Sequence, residues 1–349
     1  MEKLIGQIKK IDISTFNRRP FWIALIGGFA MAFFQTTGVG TSFFSPISQN
    51  QVVEAADDIT LKLSKKKNTV QLHSSSQEQW DIDAKAYIVV DMDEQKILAE
   101  KNAHVPTSIA SLTKVLSAVV ALDLAYPSDE FTVSEHAASI EPTKIGVIPG
   151  EKMKMFELLQ AMLLTSANDA TEVMKEGING LYKQDIFVDA MNEKAKIIGM
   201  ADSHFQNPQG FDEKGQYSTP YDLALLSLYA IQNYPEIKDI AYKDHVFLPA
   251  NASHKQFDLY NWNGLLGVYP NTFGLKTGLT ELAGNTTIVM SERDGKRILV
   301  VLLGAQSLLE RDLGAAQLLD KGFGESQLNP IAVDEKMLQE RYGRWEFWN

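Results

Sequence analysis

The sequence predicts an α+β fold: an antiparallel sheet with N- and C-terminal helices against it and a helical subdomain between its strands. Three observations lead there. Strand-like segments stand near both ends of the body, Ala86–Val90 with Lys96–Glu100 early and Asn285–Ser291 with Ile298–Leu303 late. The chain between them carries apolar residues at helical spacing. Strands and helices do not alternate one by one, as a parallel βαβ sheet would require.

Taken in order, residues 1–20 are a basic terminus. Lys3, Lys9, Lys10, Arg18 and Arg19 against Glu2 and Asp12 give residues 1–50 a net +3, leaving −14 on the rest of a chain whose formal net charge is −11. So acidic a body argues against nucleic acid or anionic lipid as main partner. From Pro20 to Val53 there is no charged residue; Phe21–Phe34 is strongly apolar, and Gln35–Phe44 continues more weakly. Basic residues before it and Glu54, Asp57 and Asp58 after it put the N-terminus in the cytoplasm and the body outside. Residues 21–44 therefore read as a signal or anchor segment. A cleaved leader and a retained transmembrane signal-anchor both fit; the second is favoured, because Gly38-Val39-Gly40 is a poor cleavage site and no better one follows the apolar core. Residues 45–80, with Lys65-Lys66-Lys67 and Ser74-Ser75-Ser76, read as a linker. The folded body is expected over 81–324.

Within that body, Ala86–Val90 and Lys96–Glu100 should pair across a turn at Asp91–Gln95. Ile109-Ala110-Ser111-Leu112-Thr113-Lys114 then opens a buried helix running to Ala125. Helices follow at Met155–Leu164, Ala170–Ile178, Asp185–Ile198 (ended by Gly199) and from Pro220, at the favoured first helical position, to Ile231. Glu292-Arg293-Asp294-Gly295 signals a hairpin between the two late strands, and Leu308–Phe323 is a closing helix. Residues 325–349 form an aromatic tail. Its Tyr342, Trp345, Phe347 and Trp348 suit a membrane interface or a partner, while packing back on the body or disorder is the plainer account.

With no cysteine, a thiol nucleophile, disulfides and Cys-ligated zinc are excluded. The six histidines form no His-x-x-x-His pair and there is no Gly-x-Ser-x-Gly elbow, so neither a metal centre nor a cofactor is expected. Ser111 and Lys114 are the chemical candidates. Three apart on a helix, they share a face, and a lysine whose pKa is lowered by burial can take the serine proton. Alone, Ser-x-x-Lys is a weak signal, since a helix-capping serine with a surface lysine reads the same way. It gains force from two motifs downstream: Ser166-x-Asn168, between two apolar helices, and Lys276-Thr277-Gly278.

This ordered triplet resembles the signature of penicillin-binding proteins and serine β-lactamases. Its context is similar to the low-molecular-mass D-alanyl-D-alanine carboxypeptidases: Thr165-Ser166-Ala167-Asn168-Asp169-Ala170, Gly274-Leu275-Lys276-Thr277-Gly278, Lys144-Ile145-Gly146 with Pro149-Gly150-Glu151, and Tyr217-Ser218-Thr219-Pro220-Tyr221-Asp222. The resemblance covers about residues 82–324 and implies a β-lactamase/penicillin-binding transpeptidase-like fold. It implies that Ser111 attacks the carbonyl between the terminal D-alanines of a peptidoglycan stem peptide, with Lys114 as base and Ser166 as proton relay. Asn168 would hold the substrate amide, and Lys276 and Thr277 its carboxylate. Gly278 would let the strand approach the substrate, and the N–H groups of Ser111 and Leu279 would form the oxyanion hole. β-Lactam antibiotics would be covalent inhibitors. Endopeptidase or transpeptidase action uses the same residues and stays open. A class A β-lactamase lacks support, since Glu176-Gly177-Ile178-Asn179 is misplaced for a deacylating glutamate box; an inactive cell-wall-binding module is disfavoured by the intact motifs. Family members often carry His where Gln209 stands, which puts a role for the Asn207–Gly210 loop in doubt.

Overall fold

The computed structural model describes residues 58–65, 68–74 and 78–345, all within one contiguous unit spanning 52–349. At its centre is a six-stranded sheet, β1(His73–Ser74), β2(Ala86–Asp91), β3(Lys96–Lys101), β8(Thr272–Thr280), β9(Gly284–Arg293) and β10(Lys296–Ala305), in the order β1-β3-β2-β10-β9-β8. All pairs are antiparallel except β1 with β3. Two small two-stranded antiparallel sheets, β4(Glu130–Thr132) with β5(Lys152–Lys154) and β6(His245–Leu248) with β7(Phe257–Tyr260), lie outside it.

The sheet divides two cores by its period-2 alternation. On β2, Ala86, Ile88 and Val90 enter one core while Tyr87 and Val89 enter the other; on β10, Leu299, Val301 and Leu303 oppose Ile298, Val300 and Leu302 in the same way. The larger core is filled by α1(Thr113–Leu124), α3(Met155–Leu164), α4(Asn168–Tyr182), α5(Phe187–Ile198), α6(Pro220–Asn233) and α7(Pro235–Ala241), with the short α2(Glu135–Ser139) beside them. The second core lies under the closing helix α8(Leu308–Gly324) and α9(Glu335–Tyr342).

The local signals explain the element ends. Asp294 (φ 49°) and Gly295 (φ 75°) make the β9–β10 hairpin turn, where both central residues need positive φ. Thr219 caps α6 by accepting from Asp222 N at 3.0 Å, and Gly199 ends α5 at φ 95°.

Two expected boundaries move. The stretch 45–80 is not wholly linker: residues 58–64 are helical, Leu63 is fully buried, and β1 joins the sheet. The attachment is polar as well as apolar, because buried Lys194 donates to Leu63 O at 2.6 Å and pairs with Asp123 at 2.7 Å. The tail packs back on the body, with Leu338 and Trp345 buried. Among the described residues no helix is long and apolar enough to cross a membrane; the expected anchor at 21–44 lies outside them.

Candidate active site

Ser111 lies in a 3₁₀ turn, Ala110–Leu112, that leads directly into α1. That turn rests on β8, the outer strand of the sheet, and the packing is close: a Cβ on Gly278 would meet Ser111 N at 2.9 Å and Thr286 Oγ1 at 2.8 Å. The glycine of the third motif is therefore required by the approach of one backbone to another. Ala110 (φ 51°) and Ser166 (φ 63°) both hold left-handed backbone without being glycine. Such strain, roughly 1–3 kcal/mol per residue, persists only where the surroundings impose it, and here it falls beside Ser111 and on the second motif.

Lys114 is fully buried, with Nζ 2.9 Å from Ser111 Oγ. The same nitrogen donates to Asn168 Oδ1 and to Gln209 O, each at 2.6 Å. A neutral amine has two N–H bonds and one lone pair. The two short bonds use both hydrogens, and the lone pair is left for the Ser111 hydroxyl, which then donates to it. Burial, and after it the positive charge of Lys276, hold the Lys114 pKa well below the usual lysine value. Lys276 is itself buried, donates to Thr277 O at 2.7 Å, and is lowered to about 7 by burial and the nearby Arg311 guanidinium. Three basic side chains, Lys114, Lys276 and Arg311, thus stand in sequence, each discouraging charge on the one before it.

Ser111, Ser166, Thr277, Gly278 and Leu279 line one cleft of about 460 Å³, with Pro142 and Thr143 on one wall and Trp262, Arg311 and Trp345 also facing in. Asn168 holds the Pro142–Thr143 wall, its N donating to Thr143 O at 2.8 Å and its Nδ2 to Pro142 O, while the carboxylate of buried Asp169 accepts from Ile145, Gly146 and Val147 N just beyond at 2.8–3.2 Å. β8 is an outer strand, so an extended peptide can pair along it as an added strand.

Two expectations change in detail. Asn168 does not stand open to the cleft: its Oδ1 is taken by Lys114 and its Nδ2 donates to Pro142 O. It holds Lys114 first, and only its second Nδ2 hydrogen remains for a substrate carbonyl. The Asn207–Gly210 loop, left in doubt by Gln209, is integral. Gln209 contributes its backbone carbonyl to Lys114, and its side-chain Nε2 donates to buried Glu172 at 2.5 Å. A backbone acceptor carries no side-chain signature, so sequence could not reveal it. Arg311 was also missed. It sits beside Asp312 in a helix and reads as a surface pair, yet it is buried and gripped by that carboxylate at 2.7 and 2.9 Å.

The model of the D-alanyl-D-alanine carboxypeptidase family, peptidase S11, matches residues 72–307. The D-alanyl-D-alanine carboxypeptidase DacF of Bacillus subtilis is 33% identical over 235 residues, covering 66% of this chain and 59% of that protein's length. The crystal structure of DacD from Francisella tularensis superposes with TM-score 0.64 at 28% identity, covering 72% of each chain. Penicillin-binding protein D2 of Listeria monocytogenes, solved in an ampicillin-bound form, superposes with TM-score 0.59 at 30% identity, covering 71% of this chain and all of that one. The chain belongs to the D-alanyl-D-alanine carboxypeptidase family, and it has the penicillin-binding protein fold expected from its sequence.

Proposed function

We propose that this protein is a serine D-Ala-D-Ala carboxypeptidase that removes the terminal D-alanine from peptidoglycan stem peptides through an acyl-Ser111 intermediate. The observation that carries this is the Lys114 environment: a fully buried amine held by Asn168 Oδ1 and Gln209 O at 2.6 Å each, with Ser111 Oγ 2.9 Å away.

The steps follow from the cleft. A stem peptide lies along β8 with its terminal carboxylate toward Thr277, Lys276 and Arg311. Ser111 Oγ attacks the penultimate carbonyl as Lys114 takes its proton. The oxyanion forms between the N–H groups of Ser111 and Leu279, donors typically worth about 10²–10³ in rate each. Ser166 relays that proton from Lys114 to the departing D-alanine amine, which returns Lys114 to its neutral form. Water then attacks the acyl carbonyl, with neutral Lys114 again the nearest base. A β-lactam mimics the same dipeptide; its ring-opened leaving group stays tethered, so the drug remains attached to Ser111 and blocks the site.

The uncharged segment 21–44 and its basic flank support a place on the outer face of the cell membrane with the catalytic body outside, where its substrate lies. The test is release of free D-alanine from a soluble pentapeptide by the wild-type chain and its loss in Ser111→Ala. Release by the variant at the wild-type rate would remove Ser111 from the chemistry.

A further inference from the structure

The C-terminal segment reaches the active site from one side. α9 is capped by Asp334, whose side chain accepts from Met337 N at 2.9 Å, and it buries Leu338 in the second core. Arg341 is buried, pairs with Asp244 and donates to Asn261 O at 3.2 Å. Tyr342 OH donates to Asp312 Oδ2 at 2.8 Å, the carboxylate that also grips Arg311. The Tyr342 ring stacks on Trp345 at 5.1 Å, and the Arg341 guanidinium lies 5.5 Å from the indole centre. Trp345 is only 3% exposed and forms part of the cleft wall with Arg311 and Trp262.

The position of that wall matters. The residue released in the proposed reaction carries the free carboxylate, and the cations available to it are Lys276 and Arg311. Trp345 is fastened to the Arg311 end through Tyr342 and Asp312. It therefore bounds the leaving residue, not the acyl half of the substrate.

We propose that residues 335–345 close the leaving-group end of the cleft, so that Trp345 limits the released residue to one with a side chain about as small as alanine's. This rests on the carboxypeptidase reading and refines it. In a stem peptide cross-linked through a diamino-dicarboxylic acid the leaving residue also bears a carboxylate beside the scissile amide, but its side chain continues into a second stem. An indole held between Arg341 and Tyr342 meets that side chain and turns such a substrate away. The enzyme is then a trimmer of free stem ends and a poor endopeptidase.

The test compares two soluble peptides, diacetyl-L-Lys-D-Ala-D-Ala and the same peptide ending in Nε-acetyl-D-Lys, with the full-length wild type, Trp345→Ala and Trp345→Phe. Acylation by a fluorescent penicillin and a thermal melt accompany each variant. The wild type should favour the D-Ala peptide by about 10²-fold or more in kcat/KM, the range in which pocket size discriminates. Trp345→Ala should cut that preference at least about tenfold by raising kcat/KM for the long residue, with Trp345→Phe between. A wild-type ratio near one overturns the proposal whatever the variants do. So does an unchanged ratio in a Trp345→Ala protein that still melts cooperatively and binds penicillin. Failure of the wild type to release D-alanine from the first peptide would instead overturn the underlying carboxypeptidase reading.

Discussion

Gly210→Ala tests whether the loop at Asn207–Gly210 holds the nucleophile in place. Gly210 sits at φ 90°, and a Cβ there would stand 2.0 Å from Ala110 O, 2.5 Å from its carbonyl carbon and 3.0 Å from Ser111 N, where ordinary contact begins near 3.4 Å. All three atoms are backbone, so no side chain can swing away, and the Ala110–Ser111 peptide must yield by roughly 1 Å or more. A misplacement of about 1 Å in a reacting group costs about 10² in rate. The stability cost combines about 1–2 kcal/mol for left-handed backbone in a residue with a Cβ and about 1–3 kcal/mol for overpacking. Gly215→Ala separates the two effects. It has nearly the same φ, 91°, but its new Cβ meets only the end of the Gln206 side chain, at 3.0 Å. The assay is the second-order rate of acylation by a fluorescent penicillin, read beside a thermal melt. Gly210→Ala should fold and acylate about 10²-fold more slowly, while Gly215→Ala should lose stability but acylate within about threefold of wild type. A Gly210→Ala protein that acylates at the wild-type rate would refute the claim that this loop sets Ser111's position.

Three further outcomes follow from the same geometry. Neutral Lys114 is the reactive form, so kcat/KM rises with pH as its proton leaves; charged Lys276 receives the carboxylate, and with its pKa near 7 the rate should fall as pH climbs past that value. Lys276→Arg should abolish the alkaline limb, because guanidinium stays charged, and an alkaline limb that persists unchanged would show that another group titrates. Gln209→Leu keeps the backbone carbonyl for Lys114 but cuts its anchor on Glu172, so acylation should slow about tenfold, measured by stopped-flow labelling. Lys194→Met removes the 2.7 Å ion pair from buried Asp123 and the hydrogen bond that ties Leu63 O to the body; denaturant unfolding should show a loss of about 3–5 kcal/mol.

Much of the scaffold was legible because its signals are local. Asp294-Gly295 marks a hairpin by chain chemistry alone, and α1, α3, α5 and α6 each carry apolar residues at helical spacing with recognisable starts or stops. Ser111, Ser166 and Lys276 were legible as a set because each sits in a short motif. What escaped reading depends on distant packing. Leu63 is a single buried leucine beside a lysine run, and β1 has two residues, too few to show a period. α9 is a charged sequence whose buried face amounts to Leu338 and Arg341. Arg311 looks like half of an adjacent surface pair until the fold buries it, and the Gln209 carbonyl is an atom every residue possesses. The second task of Asn168 was hidden for a related reason: the motif identifies the residue, but only the structure shows that its Oδ1 is bonded to Lys114 and its Nδ2 to Pro142 O, leaving one Nδ2 hydrogen for a substrate.

The central claim is that Ser111, deprotonated by neutral Lys114, becomes acylated. Intact-protein mass after incubation with benzylpenicillin, followed by peptide mapping, measures it directly. A single adduct of the whole drug, mapped to Ser111 and absent from Ser111→Ala and Lys114→Ala proteins that melt cooperatively, is the expected result. An adduct on another residue, or undiminished labelling in the Lys114→Ala protein, would contradict it.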